Sequence, residues 1–253
     1  MQRYFVRAEQ FTGSTVVITG EDAHHAVRVM RMRTGDRFIC SNGADREALV
    51  EIVSADPHAV TARVIEERSM TAEPGVNVWI AQSLPKSDKM EFVIQKCTEI
   101  GAVRFIPFIS ERTVVQYDVK KEEKRLERWR KIAKEAAEQA QRNRVPEIRS
   151  LSSWEQMLEL AKQADLALIC HEKEETMNLR GVLARFLTGK KQARAPMVLL
   201  AIGPEGGFTE REAAEAETAG FVPVRLGRTV LRTETAAMVA LTCILYESGE
   251  MGD

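Results

Sequence analysis

The sequence predicts an α/β protein, a mainly parallel sheet covered by helices, joined to a small β-rich domain at its N-terminal end. Three observations predict it. From Val76 onward, apolar runs of strand length alternate with helical periodicities, the pattern of a sheet buried on both faces. Before about residue 70 the apolar runs are shorter and broken by turn residues, as in a small barrel. Between the two, Thr71-Ala72-Glu73-Pro74-Gly75 carries no periodicity and reads as a linker. A chain of 253 residues, 44% hydrophobic, has material for two unequal cores, here residues 1–72 and 73–253.

In the first domain, strands are expected at Tyr4-Phe5-Val6, Thr15 to Ile18, Arg37 to Cys40, Ala48 to Val53 and Val60 to Ile65. A helix interrupts them. It starts near Glu21-Asp22, places Ala23, Ala26, Val27 and Met30 on one face, and is ended by Gly35. In the second domain the expected order is strand Val76 to Leu84, helix Asp88 to Ile100, strand Val103 to Ile109 and a long helix from about Lys120 to Arg142. Strands at Leu166 to Cys170, Met197 to Ile202 and Val222 to Leu226 follow, with helices between and after them. Asp88 with Glu91, and Thr209 with Glu212, have capping-box spacing, and Gly101 and Gly220 stand at helix ends.

Composition excludes several classes. The first residues lack the apolar run of a signal peptide, and no later run approaches the ~20 residues of a membrane span, so a cytoplasmic protein is expected. Four widely separated cysteines give no Cys-x-x-Cys spacing and read as buried free thiols. His24 and His25 are adjacent, which on a helix points them about 100° apart, so no metal site is expected. A net charge of −1 excludes a uniformly basic nucleic-acid binder but not a local basic surface.

The chemistry is concentrated in two segments. Met197 to Glu210 reads as an apolar strand, the turn Gly203-Pro204-Glu205-Gly206-Gly207 and a capped helix, a geometry that exposes backbone N–H groups to a ligand. It matches neither Gly-x-Gly-x-x-Gly nor a P-loop, which excludes an ordinary dinucleotide or triphosphate site. Leu226-Gly227 then follows a strand and leads through Leu231-Arg232-Thr233-Glu234-Thr235-Ala236 into an apolar C-terminal helix. Thr233 or Thr235 can cap that helix, and Arg232 and Glu234 can pair as a solvated ion bridge.

Together these segments resemble the SPOUT methyltransferase superfamily, specifically its RsmE-type 16S ribosomal RNA uridine-N3 methyltransferases. The resemblance extends to Gln82 to Lys86, to Lys96 to Gly101 and to the segment His24 to Asp36, and so spans nearly the whole chain. It implies a C-terminal deep trefoil knot in the parallel sheet, a PUA-like N-terminal barrel that grips RNA, and a homodimer. Physical reading alone would not propose a knot.

The resemblance also implies S-adenosylmethionine as cofactor, held by His171, Glu172, Ile202, Gly203, Pro204, Glu205, Gly206, Leu226, Gly227, Leu231, Arg232, Thr235 and Ala236. Methylating uracil N3 requires removing or stabilising the charge of a proton-bearing nitrogen. Arg232 is the candidate cation and Glu205 and Glu234 are candidate bases. For 16S rRNA in its small-subunit context the candidate contacts are Arg3, Arg7, Arg28, Arg31, Arg33 and Lys86. A further basic stretch runs from Lys120 to Arg149, eleven Lys and Arg against six Glu, which reads equally well as a solvated helix face. Two rival readings remain: a catalytically silent RNA-binding ribosome-assembly protein, and a SPOUT enzyme acting on a ribose 2′-hydroxyl.

Overall fold

The computed structural model describes residues 1–115, 122–172, 174, 177–188 and 194–252. The chain divides into two compact units, residues 1–73 with 134–145, and residues 74–133 with 146–253.

The first unit holds β1 (Arg3–Phe5), β2 (Phe11–Thr12), β3 (Thr15–Thr19), one helical turn α1 (Glu21–His24), β4 (Arg37–Ser41), β5 (Glu47–Ala55) and β6 (Ala59–Arg68). The strands form one sheet in the order β1-β4-β5-β6-β3-β2, antiparallel except where β1 pairs with β4. Alternation explains the core. Ala48, Val50 and Ile52 of β5 and Val60 and Ala62 of β6 point inward with Val16, Ile18 and Phe38, beneath Ala23 and Ala26. The helix ends earlier than expected: a π-helical segment, His25–Val29, follows α1, and Arg31 turns the chain in a left-handed conformation at φ 56°.

Residues 134–145 join this unit through buried charge. Glu138 accepts the Phe5 N–H at 3.0 Å, Lys134 pairs with Asp22 at 2.6 Å, and Glu73 accepts the N–H groups of Asn143 and Arg144. Arg3 belongs to the same network, and the structure corrects its assignment to RNA. Its guanidinium donates twice to Glu47, and both side chains are only 4% exposed. A phosphate could reach Arg3 only by leaving Glu47 buried without a cation, held by Asn143 alone.

The second unit holds β7 (Asn77–Ser83), α2 (Lys89–Ile100), β8 (Arg104–Phe108), α3 (Glu122–Gln139), β9 (Glu147–Ile148), α4 (Trp154–Glu159), β10 (Leu166–Cys170), α5 (Leu179–Thr188), β11 (Met197–Ile202), α6 (Glu210–Thr218), β12 (Phe221–Val224) and α7 (Thr233–Glu247). The last residues of α3 belong to the first unit, and Lys120 and Lys121, expected to open it, lie outside the described residues. The strands run in the order β12-β10-β11-β7-β8-β9, every ladder parallel. Strands buried on both faces need apolar residues at successive positions, and Val198 to Ile202 are all at most 1% exposed. On one face Trp79, Ile106, Phe108 and Leu199 pack with Met157, Phe208 and Ala216. Elsewhere α7 packs on β7 and β11 and against α2 and α5.

Three local expectations change. Asp88 stands at the N-cap of α2 but its side chain makes no cap bond, because its backbone (φ −85°, ψ 10°) lacks the extended geometry that aims a cap side chain at the first turn. The C-terminal helix begins at Thr233, with Arg232 at the N-cap. Cys243 is exposed, whereas Cys40 and Cys97 are buried, because α7 is apolar nearly all round and only part of its surface is covered within the chain.

Candidate active site

The carboxyl ends of β10, β11 and β12 converge, and there the backbone turns away from the sheet through segments that a ligand can approach. After β11 the Gly203–Gly207 turn folds back on itself. The Gly207 N–H donates to the Pro204 carbonyl at 2.9 Å, and Gly207 takes a φ of 64°. A Cβ on Gly203 would lie 3.2 Å from the Gly207 backbone, so the turn closes this tightly only with glycine there. Thr209 then caps α6 in a full capping box with Glu212, as its spacing predicts.

The turn is tied to the start of α7. Thr233, buried, donates its hydroxyl to the Gly203 carbonyl at 2.6 Å and accepts from Gln82 Nε2 at 2.9 Å. The residue expected to cap α7 thus links three elements. On the outer side Arg112 donates to the carbonyls of Gly206 and Phe208 at 2.6 and 3.2 Å.

Between these segments lies a cavity of about 520 Å³, within the range of small-molecule sites. Of the residues expected at the cofactor, His171, Glu172, Ile202, Gly203, Pro204, Glu205, Leu226, Gly227, Leu231, Arg232 and Ala236 line it. Gly206 faces Arg112 instead, and Thr235 and Glu234 do not reach the wall. Lys89, Phe208, Arg225 and Arg228, for which the sequence suggested no role, also line it, as does Thr233, suggested only as a helix cap.

Two features fit an adenosine-bearing ligand. His171 is 8% exposed and its Nε2 has no hydrogen-bond partner, although the residue lines the cavity. Such an atom costs about 1–3 kcal/mol until a ligand pairs with it. An added Cβ on Gly227 would meet no atom within 4 Å, so the main chain there borders open space.

Charge is organised around Lys89, the first residue of α2. Its ammonium stands 2.8 Å from Glu205 Oε1 and 3.6 Å from Glu234 Oε2. The bond to Glu205 holds the ammonium above its ordinary range, against the opposing effect of burial. Burial pushes the Glu205 carboxyl up, but the Lys89 hydrogen bond, with the N–H groups of Glu205 and Lys86, brings it below the usual carboxylate range. The Arg232–Glu234 bridge does not form: Glu234 faces Lys89, and Arg232 is exposed on the cavity wall with no ion pair among the described residues.

Among the RNA candidates, Arg28, Arg31 and Arg33 are exposed with no ion pair among the described residues, Arg7 stands 4.0 Å from Glu9, and Lys86 is exposed beside the Glu205 turn. In the basic stretch Arg128 pairs with Glu91, Lys134 with Asp22 and Glu138, and Arg142 with Glu73, so at least three of its eleven cations are neutralised within the protein. Among the described residues no group of three or more His, Cys, Asp or Glu is placed to hold a metal ion, and no helix is long and apolar enough to cross a membrane.

The profile of an RNA methyltransferase domain matches residues 72–245, and that of an RNA methyltransferase PUA domain matches residues 18–65. The ribosomal RNA small subunit methyltransferase E of Bacillus subtilis is 40% identical, with 98% of this chain and 97% of that protein covered. Its Mycobacterium tuberculosis counterpart is 34% identical over 95% of this chain and 90% of its own length. Among solved structures, the Neisseria gonorrhoeae enzyme of that name, bound to S-adenosylmethionine, superposes with a TM-score of 0.82 at 28% identity, covering 97% of each chain. A Legionella pneumophila methyltransferase in complex with the same cofactor also scores 0.82, at 31% identity and 96% of each chain.

Proposed function

From the premise that this chain belongs to the ribosomal RNA small subunit methyltransferase E family, we propose that it transfers a methyl group from S-adenosylmethionine to N3 of a uridine in 16S rRNA. The observation that carries this reading is the cavity formed by the two glycine turns, with an exposed Arg232 on its wall that has no ion pair among the described residues. When bound, S-adenosylmethionine supplies a methyl group already activated on a sulfonium. The Gly203-Pro204 and Leu226-Gly227 backbones, Ile202, Leu231 and Ala236 hold its adenosine, and His171 Nε2 pairs with one of its polar atoms. Positioning the acceptor in line with the methyl group supplies most of the acceleration. Arg232 stabilises the negative charge developing on uracil.

In this reading residues 1–72, with 134–145 packed into the same unit, are the PUA-like RNA-binding domain, and the rest of residues 73–253 is a SPOUT domain whose C-terminal part is tied in a trefoil knot. Arg7, Arg28, Arg31 and Arg33 meet phosphates, with Lys86 near the methyl-transfer site. The protein is a homodimer that covers the exposed Cys243 and Tyr246 of α7, and it acts in the cytoplasm, where ribosomal RNA is. Purified protein with methyl-labelled S-adenosylmethionine and small subunits should place label in 16S rRNA. RNA binding without label would instead support a silent assembly protein.

Arg31 offers a separate check. A non-glycine residue at φ 56° is strained, and strain that persists on an exposed cation points to use of its side chain. Arg31→Gly suits the turn, so the melting temperature should not fall. RNA affinity should drop, and the slope of log K against log salt should lessen by about one phosphate contact. Unchanged affinity and slope would remove Arg31 from the RNA surface.

A further inference from the structure

We propose that Lys89 is a catalytic cation of the methyl transfer, meeting the negative charge of the target uracil, and that Glu205 and Glu234 are positioning residues for it rather than bases. This rests on the uridine-N3 reading above.

The Lys89 ammonium lines the cavity, held from the Gly203–Gly207 turn by Glu205 at 2.8 Å and from the first turn of α7 by Glu234 at 3.6 Å. Neither carboxylate is placed as a base. Glu205 Oε1 already accepts from Lys89 and from the Lys86 N–H, and its carboxyl is held below the usual range. Glu234 does not line the cavity, and its Oε2 stands 3.6 Å from the Lys89 ammonium, through which its charge reaches the site.

The placement of the cations is costly unless used. Lys89 is the first residue of α2 and Arg232 the N-cap of α7, both at the positive ends of helix dipoles, where acidic residues are the favoured ones. Glu205 and Glu234 compensate Lys89, whereas Arg232 has no such partner. Arg225, Arg228 and Glu172 complete the charged wall. A pocket biased this way favours an anion, and the uracil ring becomes one on losing its N3 proton.

In the step as proposed, the N3 proton passes to solvent water and Lys89 stays an ammonium throughout. The N3 lone pair forms the new N–CH₃ bond while the pair of the broken S–C bond stays on sulfur. Lys89 favours the uracilate, so the midpoint of the rising limb of the pH–rate profile is lower than for uracil away from the cation. Removing its charge moves that limb to higher pH.

The test compares wild type, Lys89→Gln and Lys89→Arg in single-turnover methylation of small subunits across pH, with S-adenosylmethionine affinity measured by calorimetry. Lys89→Gln keeps a donor for Glu205 but no charge. Near neutral pH it should lose ~100-fold in rate, the loss typical of one such donor, with cofactor affinity within about threefold and the limb shifted upward. Lys89→Arg should recover part of the rate and return the limb toward wild type. A Lys89→Gln rate within about threefold of wild type, or an unshifted limb, would overturn the proposal. So would a weakened cofactor affinity with an unchanged saturated rate, which would make Lys89 a wall of the cofactor pocket. If wild type yields methylated RNA but no N3-methyluridine, the functional reading itself fails and the proposal with it.

Discussion

Arg232→Ala should slow methyl transfer by ~100- to 1,000-fold while leaving S-adenosylmethionine affinity nearly unchanged. The guanidinium is exposed on the cavity wall and makes no ion pair among the described residues, so its truncation should leave the fold intact. The Arg232 carbonyl, which accepts the Ala236 N–H at 2.8 Å, is kept in the variant, so the first turn of α7 survives. An interaction made only as charge develops belongs to the transition state and appears in the rate rather than in cofactor binding. Single-turnover rates at saturating cofactor and RNA check this. A near-wild-type rate would take Arg232 off the catalytic list.

Gly227→Val should abolish detectable S-adenosylmethionine binding, a loss of ~100-fold or more, while the protein still folds. Gly227 lines the cavity, its φ lies outside the left-handed region, and an added Cβ meets nothing within 4 Å, so valine fits the protein but occupies the space the ligand needs. Gly203→Val should also lose binding, but its Cβ falls 3.2 Å from the Gly207 backbone and 3.3 Å from Phe208, so misfolding of the turn would be mixed with obstruction. Calorimetry with a melting curve for each variant separates the two. A folded Gly227→Val protein that binds like wild type would displace the cofactor from this cavity.

What the sequence made legible was what repeats locally. Strands buried on both faces must be apolar throughout, so β7, β8, β10 and β11 stand out as runs, and the capping box of Thr209 and Glu212 marks the start of α6. The glycine turns were legible because few residue types allow so close a backbone approach. What escaped depends on partners far apart in the chain. Arg3 reads as a free surface cation until Glu47 is seen beside it, and residues 134–145 join the first unit through Glu73, Asn143 and Glu138. Thr233 reads as a cap and proves to be a tie between Gly203 and Gln82, 121 positions apart. Lys89, close to Lys86 in sequence, gave no local sign that Glu205 and Glu234 would converge on it.

The measurement closest to the central claim is mass spectrometry of nucleosides from 16S rRNA of a strain lacking this protein, with and without the gene restored. N3-methyluridine should disappear on deletion and return with the wild-type chain but not with Gly227→Val. N3-methyluridine undiminished by the deletion, or loss of a 2′-O-methyl nucleoside in its place, would contradict it.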